Sequence, residues 1–191
     1  SLSLAPRHPS RLVVLAATSG EFGPTSSIAG IEDAAREEGY SVSTLNLADT
    51  TPEAIGNAVR QLSREQVDGI VVLAPQVRVF HVLRGMSVDM PVVTLQTASG
   101  SDGVSLSADQ VAGAKAATAH LISLGHSDIL HLAGPQDWIE AESRMRGYLD
   151  GLREADLPTF PPIRGDWTAD FGYFAGKELP RRRDFTAVFA A

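Results

Sequence analysis

Two tryptophans, one arginine and one glutamine carry most of the chemistry this sequence offers. Trp138 follows Ala-Gly-Pro-Gln-Asp, Trp167 follows Gly-Asp, and the 191 residues hold no other tryptophan. An indole at a strand end can be a flat platform for a sugar ring or a base, worth roughly 1 kcal/mol beyond the area it buries by analogy with aromatic pairs. It can equally pack as a lid on its own lobe; two such residues on two ligand-side loops favour a cleft. A guanidinium at Arg144 can make a forked pair of hydrogen bonds to adjacent hydroxyls or to a carboxylate. Yet Glu140–Arg144 and Glu142–Arg146 also have the spacing of ordinary surface ion pairs, about 0.2–0.5 kcal/mol each. Spacing leaves both readings open. Gln96 offers a donor and an acceptor to a hydroxyl, or caps a loop. The loop TSGEFGP (18–24) has the outline of a phosphate cradle without G-x-G-x-x-G spacing, and Phe22 within it is a candidate wall residue.

Catalytic constellations are poor. The sequence contains no G-x-S-x-G, no H-E-x-x-H and no P-loop. The histidines (His8, His81, His120, His126, His131) form no metal-ligand spacing, and His131, inside an apolar run, reads as a satisfied core residue. Glu37–Glu38 reads as a solvated helix face. The lack of cysteine excludes disulfides, Cys-ligated zinc and thiol nucleophiles, and it fits a reducing cytoplasm. No cofactor is expected. With a net charge of −7 and a pI of about 5.1, the surface repels duplex DNA unless positive charge is concentrated locally. The one basic run, Arg181-Arg182-Arg183, reads as a solvated turn, so the chain by itself is not expected to hold DNA. No apolar run approaches the roughly 20 residues of a membrane span, and SLSLAPRHPSR at the start lacks the apolar core of a signal peptide.

These residues must be positioned by alternating strands and helices. RLVVLAA (11–17), SVSTLNL (41–47), DGIVVLA (68–74) and PVVTLQ (91–96) read as strands. Between them come helices over 25–39, ended by Gly39, from Thr51-Pro52 onward, and over 77–85. TASGSDG (97–103) is the candidate lobe boundary. The pattern then restarts: a helix capped by Ser107 or Asp109 and running to 124, a strand ILHLA (129–133), a helix over 139–155, a strand PIRGD (162–166), a helix capped by Thr168, and a strand TAVFAA (186–191). This predicts an α/β chain of two doubly wound parallel-sheet lobes: 1–10 a linker or disordered, 11–103 the N-terminal lobe, 104–191 an incomplete C-terminal lobe. Ligands in such sheets sit at the carboxyl ends of strands, which directs attention to loops 18–24, 74–77, 96–103, 134–140 and 166–168.

Three stretches carry a family resemblance: GIEDAAREEGYSV (30–42); residues 109–135, with Leu-Gly-His followed by Ala-Gly-Pro; and GDWTADFGY (165–173) with DFTAVFAA (184–191). The chain resembles the effector-binding domain of LacI/GalR-family transcriptional regulators, of the type I periplasmic-binding-protein fold. The resemblance implies a small-molecule effector held between two lobes, with Arg144 matching the arginine that contacts it and Trp167 the aromatic that stacks on it. Gln96 matches a position often occupied by an acidic or polar contact, Trp138 and Glu140 match variable positions that tune ligand choice, and Ser19 and Phe22 belong to the first-strand loop that closes over the ligand. It further implies that the DNA-reading helix-turn-helix, expected before about residue 7, and the Asn-Asp continuation after the last strand lie outside this chain. The implied function is ligand sensing in a cytoplasmic, homodimeric bacterial repressor that touches operator DNA only through that other domain. A sugar is the first expectation for the effector, a purine or nucleoside the second. A periplasmic sugar-binding transport protein is the alternative. An enzyme of doubly wound fold is a further rival, and it would need a titratable pair the sequence does not present.

Overall fold

The apolar run near the start of the chain becomes the middle of a parallel sheet. The computed structural model describes residues 10–17, 22–65, 67–95 and 104–191, which divide into two units, Ser1–Ser107 and Ala108–Ala191. In the first, β1 (Arg11–Ala16), β2 (Ser41–Asn46), β3 (Gly69–Leu73), β4 (Val92–Leu95) and β5 (Val104–Leu106) pair in parallel in the order β2-β1-β3-β4-β5. β1 is buried on both faces, which is why it is uniformly apolar. Val13 and Leu15 pack against Ile55, Val59 and Leu62 of α2 (Pro52–Arg64) and Val79 of α3 (Val77–Arg84). Val14 and Ala16 face Ile28 and Ile31 of α1 (Phe22–Glu37).

α1 starts at Phe22, earlier than the expected residue 25. Pro24 then lies in its first turn, where a missing N–H costs nothing because that donor has no partner within the helix. Gly39 ends α1 in the left-handed region at φ 78°, which lets the Tyr40 N–H reach Ala35 O at 2.8 Å. Thr51 caps α2 by accepting from the Ala54 N–H at 3.3 Å. β5 has no counterpart in the sequence reading; three residues are too few to show a period. A hollow of about 330 Å³ lined by Leu15, Val59, Phe80 and Met86 opens beneath α3. It holds none of the residues proposed from sequence.

The second unit stacks α4 (Gln110–Ser123) and α5 (Ile139–Glu154) beside β6 (Ile129–Ala133), β7 (Ile163–Arg164) and β8 (Ala187–Ala190), parallel in the order β7-β6-β8. α6 (Ala169–Glu178) precedes a 3-10 turn at Leu179–Arg181. Of the two candidate caps for α4, Asp109 does the work, accepting from the Ala112 N–H at 2.9 Å. Thr168 caps α6 through the Phe171 N–H at 3.1 Å. Within the core, Tyr148 is fully buried and donates its hydroxyl to Ile129 O at 2.7 Å. No described helix is long and apolar enough to cross a membrane.

His131 is in the core as expected, but only half satisfied. It is stacked 4.9 Å from both Tyr148 and Phe189, with Nδ1 2.9 Å from Phe189 O and Nε2 buried without a partner. Burial holds its pKa below the usual 6.5; the Phe189 carbonyl opposes this, and the positive charges of Arg144 and Arg164 add to it. The folded chain therefore keeps the ring neutral at pH values where the unfolded chain protonates it. Its contribution to stability is complete above 6.5 and is lost as pH falls toward the lowered folded value. Melting of wild type and His131→Leu between pH 8 and 5 should show a steeper acid decline in wild type; parallel curves would exclude this role.

Candidate ligand-binding site

Three strand ends of the second unit meet at one edge. β6 runs into Gly134, β7 leads to Trp167, and β8 runs into Ala191. β6 has β7 on one side and β8 on the other, so the strand order reverses here, where parallel sheets open a crevice. The Trp167 indole lies over Gly134, and its Nε1–H donates to Ala191 O at 3.2 Å. Trp138 meets it at 81° with ring centroids 4.8 Å apart, the edge-to-face geometry that the ring quadrupoles favour.

The backbone here is strained. Trp167 has φ 61° and Asp137 φ 69°, a region costing about 1–3 kcal/mol for residues other than glycine. The turn at Trp167 is held by Asp166, whose carboxylate accepts from the Thr168 N–H at 2.9 Å and hydroxyl at 2.7 Å. The Thr168 hydroxyl and N–H keep that carboxyl below its ordinary pKa.

Arg144 sits on α5 one turn beyond Glu140. Its Cζ stands 5.6 Å from the Trp167 ring centroid, within range of a cation–π attraction. Its Nε–H donates to Gln110 Oε1 at 2.9 Å, and its Nη2 is 4.0 Å from Glu140 Oε2. Gln110 Nε2 in turn donates to Glu140 Oε1 at 3.5 Å. The amide thus faces its oxygen to the cation and its nitrogen to the carboxylate, the one orientation that suits both. The side chains of Arg144 and Glu140 are 27% and 14% exposed. Burial raises the Glu140 carboxyl above its usual pKa, with Arg144 pulling it down. The Glu140–Arg144 ion pair therefore forms, and it is partly buried and continuous with the aromatic corner rather than lying on a solvated helix face.

Trp138, Glu140, Arg144 and Trp167 come together as one cluster. Ser19, Gln96 and the side chain of Phe22 lie outside the described residues. Sequence reading missed Gln110, because the first residue of a helix ordinarily faces water. It also missed Gln76, which is nine-tenths buried where β1 and β3 adjoin, with Nε2 donating to Ala17 O at 2.9 Å. Gly134 had a signal, the Ala-Gly-Pro after an apolar strand, but not its meaning as the floor beneath Trp167. Indole faces, guanidinium hydrogens and one carboxylate suit binding. Among the described residues no group of three His, Asp or Glu could hold a metal ion.

Residues 13–169 match the family described as periplasmic binding proteins and sugar binding domain of the LacI family. The chain is 40% identical over 86 residues to the HTH-type transcriptional regulator CelR of Thermobifida fusca, covering 44% of this chain and 25% of that protein. It is 28% identical over 166 residues to the HTH-type transcriptional repressor PurR of Actinobacillus pleuropneumoniae, covering 85% of this chain and 49% of that one. It thus spans half or less of the length of these two regulators. Its fold is that of the Lac repressor dimer bound to operator and the anti-inducer ONPF (TM-score 0.86, 24% identity, 98% of this chain and 66% of that chain). With parallel α/β sheets and a family match across residues 13–169, the chain belongs to the family of periplasmic binding proteins and LacI-type sugar-binding domains.

Proposed function

We propose that this chain is the ligand-sensing part of a cytoplasmic bacterial LacI-family transcription regulator. A small molecule, a sugar in the first instance, binds against Trp138 and Trp167 and is clamped by Arg144. The observation that carries this reading is the Arg144 guanidinium 5.6 Å from the Trp167 ring centroid, at the carboxyl ends of strands whose order reverses at β6. An aromatic face suits the apolar side of a sugar ring, and Nη hydrogens suit its hydroxyls. In the full-length regulator, a homodimer in this reading, a separate helix-turn-helix domain meets operator DNA. The effector alters that contact only as far as its affinities for the two conformational states differ.

Thermal-shift screening of sugars and purines tests the proposal. A sugar is expected to raise the melting temperature, as any ligand selective for the folded state must. Arg144→Ala should weaken that ligand at least about tenfold, since hydrogen bonds to a charged group are worth about 1.5–3 kcal/mol. A sugar that binds Arg144→Ala as tightly as wild type would remove Arg144 from the site.

A further inference from the structure

An arginine over an indole at the carboxyl ends of parallel strands is, in isolation, an anion site: a forked cation with few competing partners attracts carboxylates and phosphates. Here it is not isolated. Glu140 stands within ion-pair distance of Nη2, Gln110 takes the Nε–H, and the same amide donates to Glu140. The three side chains sum to zero charge because the bridge between cation and carboxylate is an uncharged amide. One residue before Trp167, the Asp166 carboxylate is kept ionised by its hydrogen bonds from Thr168. An anion approaching the guanidinium would meet the Glu140 carboxylate beside it. A hydroxylated ligand without charge meets no such repulsion, and the Nη hydrogens turned away from Gln110 remain to receive it.

We infer that Glu140, bridged to Arg144 by Gln110, sets the charge selectivity of this site, so that it accepts an uncharged hydroxylated ligand and rejects the phosphorylated or carboxylated counterpart. This rests on reading Arg144 and Trp167 as ligand contacts, but the electrostatic device can be measured with no effector at all. Both tryptophans of the chain lie in the cluster, so tryptophan fluorescence, excited selectively over tyrosine, reports only this place. Stern–Volmer quenching by iodide, divided by quenching by uncharged acrylamide, measures the field at the indoles independently of their exposure.

Glu140→Gln is expected to raise the iodide-to-acrylamide ratio about twofold or more over wild type. Adding Arg144→Met to that variant should return the ratio to the wild-type value. Gln110→Glu, which adds a carboxylate beside Arg144, should lower it. A ratio unchanged in Glu140→Gln overturns the inference, as does a rise that survives Arg144→Met or a rise in Gln110→Glu. Failure of the effector reading would appear separately, as a thermal-shift screen without a sugar hit.

Discussion

Gly134→Ala is expected to dismantle the aromatic corner and with it effector binding. A Cβ at residue 134 would lie 2.6 Å from Cε2 and Cζ2 of Trp167 and 2.7 Å from its Nε1. An indole is rigid, and Gly134 is fixed by the end of the buried strand β6, so the ring must leave. It would lose the hydrogen bond to Ala191 O, the edge contact with Trp138 and the guanidinium of Arg144. Those contacts are worth about 1 kcal/mol, about 0.5–1.5 kcal/mol and about 0.5–1 kcal/mol respectively. Without them only the Asp166–Thr168 hydrogen bonds remain to hold the φ 61° turn at Trp167. Sugar affinity should fall by roughly two orders of magnitude, which corresponds to about 2.7 kcal/mol, and tryptophan emission should shift to the red. An unaltered emission spectrum would show that the ring had not moved and would defeat the prediction.

Gly147→Ala should destabilise the C-terminal unit although helix propensity argues the reverse. Glycine inside a helix costs about 0.5–1 kcal/mol relative to alanine, so Gly147 in the interior of α5 looks like an easy site for improvement. Its missing side chain is where α4 crosses. A Cβ would collide with the carbonyl oxygen of Val111 and come within 2.8 Å of Ala114 Cβ and 3.0 Å of the Lys115 nitrogen. Backbone atoms of a helix cannot step aside singly; the helices must part. Overpacking costs of about 1–3 kcal/mol or more are usual, and the propensity gain offsets only part of that. We expect a net loss of about 2 kcal/mol, seen as an earlier chemical-denaturation midpoint. The parting also carries Gln110 away from Arg144, so the hydrogen bond at 2.9 Å should fail in the same variant. A midpoint at or above that of wild type would show that the crossing tolerates the methyl.

The alternation of apolar runs and helical faces was enough to place nearly every strand and helix, because burial on both faces of a parallel sheet writes itself as continuous Val, Leu and Ile. The helix start at Thr51-Pro52 and the cap at Thr168 were equally legible, the latter being a local hydrogen bond between residues three apart. Short edges were not. β7 keeps two residues of the five expected, and β5 went unseen, since a strand on an edge owes its pairing to a neighbour and not to its own pattern.

The same division runs through the site. The sequence by itself supplied the residue types and loops: two tryptophans after strands, an arginine four positions from a glutamate, and the resemblance that joined them. It could not join Gln110 to Arg144, 34 positions away, or make Gly134 the floor of Trp167. Nor could it tell a half-buried charge pair from a solvated one. Those depend on helix crossing and on the meeting of three strand ends. Such contacts form between segments remote in sequence, whose partners no local spacing encodes. Tertiary structure therefore decided that the cation is compensated and held in one orientation, the property on which the proposed charge selectivity rests.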